Sequence, residues 1–482
     1  MTTSDSSPHV VIVGGGIAGL AAAFFLREKT VNGAPVRVTV VEGSPRLGGK
    51  LSASEVAGVP VDEGAEALLA RRPEGIDLIT ASGVLGEQGS GLVPAGTTSS
   101  AIWTRGAMRS LPRRQFMGVP ADMDELAATG VLSHVGVDRA RHEARLHRDG
   151  DISVAGYIGG ALGGEVVDRL VDPLLGGVYA GRSEDLSFDA TLAPLAAASR
   201  TYPTLAEAAA TLVPPRPAPG ARPAPVFVTL TSGLGTLPQA LAQASGAQIR
   251  TSATVRELAR TPAGWRLTIG SAADPQYLVA DAVILACPAA PAARLLAGVA
   301  PGAALALGEI PYASMAIITL AYRGEDFPET TRSGYLVPAV DGKAVKAVTF
   351  STVKWPHLAK SAADAGNAVH VVRCSVGRIG EVALLQRDDA DLVSLAAAEL
   401  AEATGTTGMP VASRVTRWGG GLPQYNVGHL DRVARVRGAV AGQPGLAVAG
   451  AAYDGVGIPA CIATARAAVD KVVTDPSVTA RA

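Results

Sequence analysis

Aromatic residues fill only 4% of 482 positions, and cysteine occurs three times, at Cys287, Cys374 and Cys461. The cysteines are odd in number and far apart, with no CxxC pair, so they read as reduced core residues rather than a disulfide framework or metal centre. An excess of one charge is missing as well: the formal net charge is −1, which removes the electrostatic case for binding nucleic acid. Long apolar runs are absent, since 295–308 and 438–453 are short and interrupted by glycine or proline, so no integral membrane span is expected. The start, MTTSDSSPHV, has neither the basic beginning nor the apolar core of a secretion signal, which predicts a cytoplasmic protein and leaves peripheral membrane attachment open. No Ser/His/Asp set, cluster of metal ligands or carboxylate pair emerges with suitable spacing, so a cofactor must carry any chemistry.

Hydrophobic residues are plentiful, at 48% against 18% charged, and the length suggests two or three domains. Residues 10–13 read as a strand, a glycine turn follows, an Ala-rich helix runs to about Arg27, and 37–42 is a second strand, making one βαβ unit. Strand alternation then fades except near 102–111, while helical spacing around 122–128 and 137–147 predicts a mostly helical insert over 92–211. Prolines crowded into 212–225 forbid a helix and predict an extended loop at a domain crossing. Strand or helix patterns resume at 226–230, 235–244, 255–258, 265–269 and 282–286. The apolar runs 313–321, 344–350 and 368–375, with a helix near 388–403, predict an α+β sheet domain over 299–420. A buried strand at 445–450 and a helix at 458–473 close the chain. The expected fold class is thus α/β and α+β: a discontinuous Rossmann-like domain in three pieces (1–91, 226–298, 421–482), a sheet-based substrate domain and a mostly helical insert.

Gly14, Gly16 and Gly19 form GxGxxG, a spacing that carries little weight alone in a chain with 56 glycines. Its context adds the weight. The motif follows an apolar strand and opens a helix, so Gly14, Gly15, Gly16, Ile17, Ala18 and Gly19 would present helix N–H groups to a pyrophosphate. Glu42 ends the second strand, where a carboxylate accepts ribose hydroxyls. A tight turn with no ligand is the bland alternative.

The next segment, SPRLGGKL, with Arg46, Gly48 and Gly49, resembles the R-x-G-G turn of FAD-dependent amine oxidases, phytoene desaturases and protoporphyrinogen oxidases. The resemblance implies FAD as cofactor, held by these residues and by Lys50, Gly64, Ala65 and Val255. The bland reading of Arg46 is an exposed loop arginine. GLAVAGAAYDGVGIPACIATARAAV is similar to the same family's last FAD motif, which adds Gly450, Tyr453, Gly455, Val456, Gly457 and Ile458. Read alone it is an ordinary βα turn. Ala460 stands where an acidic residue is common, and Ala463 and Thr464 where Ser and Gly are frequent.

Three further phrases, LVDPLLGGVYAGRSEDLS, TSGLGTLPQAL and LPQYNVGHL, resemble the porphyrinogen oxidases, and most closely the Gram-positive, actinobacterial type that oxidises coproporphyrinogen III. What this implies is hydride removal from a meso carbon to flavin N5, in three two-electron steps, with dioxygen reoxidising the flavin to give hydrogen peroxide. A transient contact with a ferrochelatase would follow from such a role in haem biosynthesis. For the substrate carboxylates Arg71 and Arg72 are the first candidates, against a solvated pair at a helix start. Tyr425, His429 and Tyr179 come next, each equally readable as a buried structural residue. Arg139, Arg141, Arg145 and Arg148 read as a solvated helix face, with a membrane or partner surface as the minority reading. Protoporphyrinogen IX oxidation, amine oxidation, carotenoid desaturation and a non-catalytic FAD-binding role are the rival readings.

Overall fold

The computed structural model describes residues 7–85, 91–214, 224–364 and 368–480. Its first layer is a five-stranded parallel sheet assembled from distant parts of the chain. We label its strands β1 (His9–Val13), β2 (Arg37–Val41), β3 (Gln248–Arg250), β4 (Ala282–Leu285) and β5 (Leu446–Val448), in the spatial order β3-β2-β1-β4-β5. Every residue of β1 and β4 is buried. Such unbroken apolar runs are what a parallel strand covered on both faces requires. On one face lie α1 (Ile17–Leu26), α2 (Leu237–Ser245) and α3 (Ile458–Val473), which share a core with Val10 and Ile12. The other face packs against helix His429–Ala441, helices Ala289–Leu296 and Pro301–Gly308, and an antiparallel meander (Val255–Thr261, Gly264–Gly270, Pro275–Ala280).

The second layer is a seven-stranded sheet in the order Ala107–Ser110, Ser100–Thr104, Gly334–Leu336, Val345–Phe350, Val369–Val376, Tyr312–Arg323, Ala412–Pro423. Helix Asp389–Thr404 covers one of its faces. The hairpin Ser100–Ser110 departs from the expected helical insert. Its strand Ser100–Thr104 pairs in parallel with Gly334–Leu336, so the start of that segment belongs to the large sheet. Polar and glycine-rich Ala412–Pro423 carries no strand alternation, yet it pairs along nearly its whole length with Tyr312–Arg323, because an apolar partner dictates the ladder.

From Met123 to Leu212 the named elements are all helices, including two π-helical stretches, Ala155–Gly159 and Val167–Val171, before helix Asp172–Tyr179. The helix expected over 137–147 instead ends at Arg141, after His134–Arg141. There Arg139 donates to the carbonyls of Gly160 and Ala161, and the chain continues without helix to Ser153. The single solvated arginine face is therefore not formed: Arg148 is buried, its side chain 8% exposed, and paired with Asp189. Residues 215–223 of the proline-rich loop lie outside the described residues. No helix among the described residues is long and apolar enough to cross a membrane.

Candidate cofactor site

At the carboxyl end of β1, Gly14 takes φ +114° and donates its N–H to the Val41 carbonyl (2.8 Å). A Cβ there would sit 2.6 Å from the Ala286 carbonyl oxygen. One on Gly19 would collide with the Gly14 carbonyl oxygen, so α1 can lie this close to its strand only with glycine at 19. Gly16 differs, because a Cβ on it would meet nothing within 4 Å. It caps α1 without a side-chain hydrogen bond, and the helix has no acidic residue in its first turn. That end offers free N–H groups and the positive end of a helix dipole facing open space, which suits a pyrophosphate.

The two sequence turns, about thirty residues apart, are one structure. Gly48 donates to the Gly15 carbonyl (2.8 Å), Gly16 and Gly48 form a β-bridge, and a Cβ on Gly49 would lie 3.5 Å from the Gly16 Cα. Gly48 (φ +106°) and Gly49 (φ +57°) both occupy the left-handed region, which explains the paired glycines. Glu42 accepts from the N–H groups of Gly15 and Ser44, each at 2.7 Å. These bonds aim a carboxylate that keeps further lone pairs for ribose hydroxyls. Val255, half-buried, follows the segment whose Ala253 N–H bonds the Glu42 carbonyl (2.8 Å). Arg46 is exposed; it donates to the carbonyls of Leu47 and Gly49 and stands 5.8 Å from the Trp418 ring. Ile17 is half-buried and Ala18 buried, on the first turn of α1.

Lys50 is exposed in this cradle, and partial desolvation holds its pKa below the usual lysine value. Its carbonyl accepts from Ala65 (3.1 Å), and the Lys50 backbone leaves no room for a side chain at Gly64. The Gly64–Ala65 loop is clamped from the large sheet. Arg373 donates to the Gly64 carbonyl (2.6 Å) and to Glu66, Lys354 also donates to Glu66 (2.7 Å), and Trp418 donates to the Glu63 carbonyl (3.0 Å). Burial alone would raise the Glu66 pKa, but Lys354 and Arg373 outweigh it and hold the carboxyl at about 2.

The C-terminal segment completes the cradle. Gly450 (φ +120°) donates to the Thr464 hydroxyl (2.9 Å), which itself donates to the Cys461 carbonyl (2.8 Å). Threonine at 464 is therefore accommodated as a lock on the strand-to-helix turn. Gly455 (φ +143°) lies against Ala460, where a Cβ would be 2.8 Å from the alanine methyl. Gly457 caps α3 with no side-chain bond and no acidic residue in the first turn, so the N–H groups around Ile458 are free. Gly457 is exposed and Val456 half-buried, whereas Ile458 is buried.

Tyr425 and His429 are buried against this turn, at 1% and 0% exposure. The Tyr425 hydroxyl donates to the Ala451 carbonyl and accepts from the Gly455 N–H, both at 2.7 Å. His429 stacks on it at 3.8 Å and donates from Nε2 to the Tyr453 carbonyl (3.1 Å). Tyr453 is buried too, its hydroxyl without a partner. Tyr179, 6% exposed, packs on Tyr425 at 5.4 Å, and burial pushes its phenol up to about 12. Arg71 and Arg72 are exposed just before helix Pro73–Ala81, whose Gly75 lies beside Pro459 of α3. Arg72 is paired with Glu74 (2.6 Å).

Burial, only partly offset by the bond to Tyr453, pushes the His429 pKa down to about 4. The folded protein thus binds this proton less readily than the unfolded chain, so stability is lost as pH falls from about 6.5 to about 4, by about 1.4 kcal/mol per unit at most. Melting curves over that range should be shallower in pH for His429→Gln than for the parent; parallel pH profiles would refute the assignment.

Among the described residues no group of three His, Cys, Asp or Glu side chains is placed to hold a metal. Burial raises all three thiols to about 12, so none is a thiolate nucleophile. No local pattern marks Glu66, Lys354, Arg373 or Trp418, whose importance arises only from contacts between residues hundreds of positions apart.

The chain is 36% identical over 473 residues to a coproporphyrinogen III oxidase of Mycobacterium leprae, covering 96% of this chain and 98% of the relative. It is 30% identical over 480 residues to a coproporphyrinogen III oxidase of Bacillus subtilis, covering 98% and 99%. A crystal structure from Exiguobacterium sp. 255-15, provisionally named a protoporphyrinogen oxidase, superposes with a TM-score of 0.82 at 30% identity, covering 97% and 99%. The model of the flavin containing amine oxidoreductases matches residues 17–473, and the chain belongs to that family.

Proposed function

We propose that this chain is an FAD-dependent, oxygen-dependent oxidase that converts coproporphyrinogen III to coproporphyrin III in haem biosynthesis. The observation that carries the reading is the convergence of Gly14–Gly19, Glu42–Lys50 and Gly450–Ile458 on one cradle with two unopposed helix N-termini, in a chain alike over its length to relatives of that name. The bound flavin would accept a hydride from the porphyrinogen in each of three rounds and return the electrons to dioxygen, giving hydrogen peroxide. The protein's own residues bind and orient. The N–H groups of α1 and Arg46 meet the pyrophosphate, Glu42 the ribose, and the N–H groups at Ile458 the electron-rich edge of the reduced ring. Tyr425 and His429 set the position of the Ala451–Gly455 turn through their hydrogen bonds to its backbone.

Arg71, exposed and without an ion-pair partner among the described residues, is the first candidate for a substrate propionate, with Arg72 beside it. Arg71→Ala should raise KM for coproporphyrinogen about tenfold or more and leave flavin content unchanged. Arg72→Ala should do less, because its charge is shared with Glu74. Loss of flavin from either variant would remove both from the substrate side. Transient contact with a ferrochelatase-type enzyme, to pass on the product, and peripheral attachment to a membrane belong to the same proposal.

The Exiguobacterium structure's name favours protoporphyrinogen IX as a second reading. Mixing the FAD-loaded protein in air with coproporphyrinogen III, protoporphyrinogen IX and simple amines, and following porphyrin fluorescence and peroxide, separates the readings. Turnover of coproporphyrinogen first and fastest is expected. Failure with both porphyrinogens would sink the proposal.

A further inference from the structure

Beside the Gly48–Gly49 corner, a carboxylate from one segment fastens the start of another. Asp62 ends strand Val59–Asp62 and accepts from two successive N–H groups, Leu234 on Oδ2 (3.0 Å) and Gly235 on Oδ1 (2.8 Å). They belong to the turn Leu234–Thr236, which runs straight into α2 with no side-chain cap of its own. The fit is close. A Cβ on Gly235 would lie 2.5 Å from the Ala53 nitrogen, and one on Gly233 (φ +80°) would lie 3.1 Å from Asp62 Oδ1. α2 then meets the cradle: a Cβ on Gly48 would lie 2.9 Å from Pro238 Cγ, and the Gly48 N–H bonds the Gly15 carbonyl. Leu237 and Leu241 of α2 share a core with Ala18 and Leu20 of α1.

Each Asp62 oxygen holds one N–H. A proton would turn one oxygen into an O–H donor facing an N–H donor, so one of the two bonds would be lost. The charged and titratable groups around Asp62 are few. Glu66, Arg373 and His357 line the same cleft, and Glu66 is paired with both Arg373 and Lys354. Desolvation holds His357 below the usual imidazole value, so it is neutral at neutral pH. Glu63 is engaged by Arg414 and Ser52, and Glu55, on the paired strand Ala53–Val56, is exposed. Burial pushes the Asp62 carboxyl up to about 6, outweighing the two N–H groups and Arg373, which favour the charged form.

We propose, resting on the flavin cradle and not on the choice of porphyrinogen, that Asp62 is a positioning residue for the cofactor. Its ionised carboxylate, by holding both N–H groups, keeps α2 and the Gly48–Gly49 corner in the flavin-binding arrangement, and uptake of one proton there loosens the flavin. By reciprocity, flavin binding in mild acid expels that proton.

For the fold alone the pH dependence has the opposite sign. The folded carboxyl titrates at about 6 against an ordinary 3.8, so the stability it contributes is full below 3.8 and is lost as pH rises through 6. Flavin affinity should instead be full above 6 and fall below it. A residue that only held the fold together would move stability and affinity in the same direction.

The test measures the FAD dissociation constant and the flavin-free melting temperature of the full chain at about pH 7.5 and about pH 5, in the parent, Asp62→Asn and Asp62→Ser. The parent should bind FAD about tenfold more weakly in acid, the worth of one charge-assisted hydrogen bond. Both variants should bind weakly at either pH and change by no more than about twofold. Relative to Asp62→Asn, the flavin-free parent should gain melting temperature as pH falls. FAD affinity of the parent that ignores pH would overturn the proposal while leaving the cradle itself in place, since FAD still binds. So would Asp62→Asn following the parent's fall, or affinity and relative melting temperature moving together. Should neither variant fold, the parent's affinity profile decides alone.

Discussion

Gly19→Ala is expected to yield a protein that purifies without flavin and melts well below the parent. The added methyl would fall on the Gly14 carbonyl oxygen, and both partners are backbone in packed elements, so α1 must back away from β1. Overpacking of this kind costs about 1–3 kcal/mol when side chains can adjust, and here none can. The retreat also withdraws the helix N–H groups from the pyrophosphate. Gly16→Ala is the informative companion, since nothing lies within 4 Å of its Cβ. Its stability should stay within about 0.5 kcal/mol of the parent, while flavin affinity falls because the methyl occupies the ligand's approach. Visible flavin absorbance per mole of protein and apo-protein melting temperature separate the two effects. A Gly16→Ala protein that retains flavin as tightly as the parent would show that the pyrophosphate does not lie against this turn.

The second large effect is expected at Glu66. Glu66→Gln removes the carboxylate that Lys354 and Arg373 share, a change that costs about 3–5 kcal/mol when a buried pair is broken. The sign of the pH dependence follows from the depressed carboxyl. With a folded pKa of about 2 against 4.5 for the free group, its stabilisation is complete above 4.5 and is lost as pH falls toward 2. The glutamine variant should lack that acid-limb loss and should release flavin faster at neutral pH, because Arg373 also holds the Gly64 carbonyl. Neutral-pH melting and flavin off-rates equal to those of the parent would remove the clamp from the account.

Those two experiments rest on features of different legibility. The glycine turn, Glu42 and α3 lay open to sequence reading because their chemistry is local: a strand, a bend that demands positive φ, a helix start. The strands 313–321, 344–350 and 368–375 were visible for a similar reason, being local apolar runs that are buried almost continuously. What could not be read is pairing. Glu66 sits in the acidic string DEGAE, which looks like a solvated turn until Arg373 and Lys354 arrive from the other sheet. Tyr425 and His429 matched a family phrase, but a phrase does not say what a ring bonds to, and here both rings are buried and bonded to the backbone of the turn. Arg148 fell within an arginine-rich stretch that suggested a single helix face, and the end of the helix at Arg141 sent it inward instead.

The parallel sheet has a consequence for how the protein is made. β1 leaves the ribosome early, with β2 and α1 close behind, but its other neighbour, β4, lies some 270 residues downstream (Val10 pairs with Ala282), and β5 and α3 come last of all. At about 5–20 residues per second, the apolar inner strand waits tens of seconds with one edge open. Translation rate and chaperone supply should therefore govern the yield of active protein more than the stability of the finished fold does. The flavin-binding cradle, built from segments more than 400 residues apart, cannot close until Gly450–Ile458 has been made.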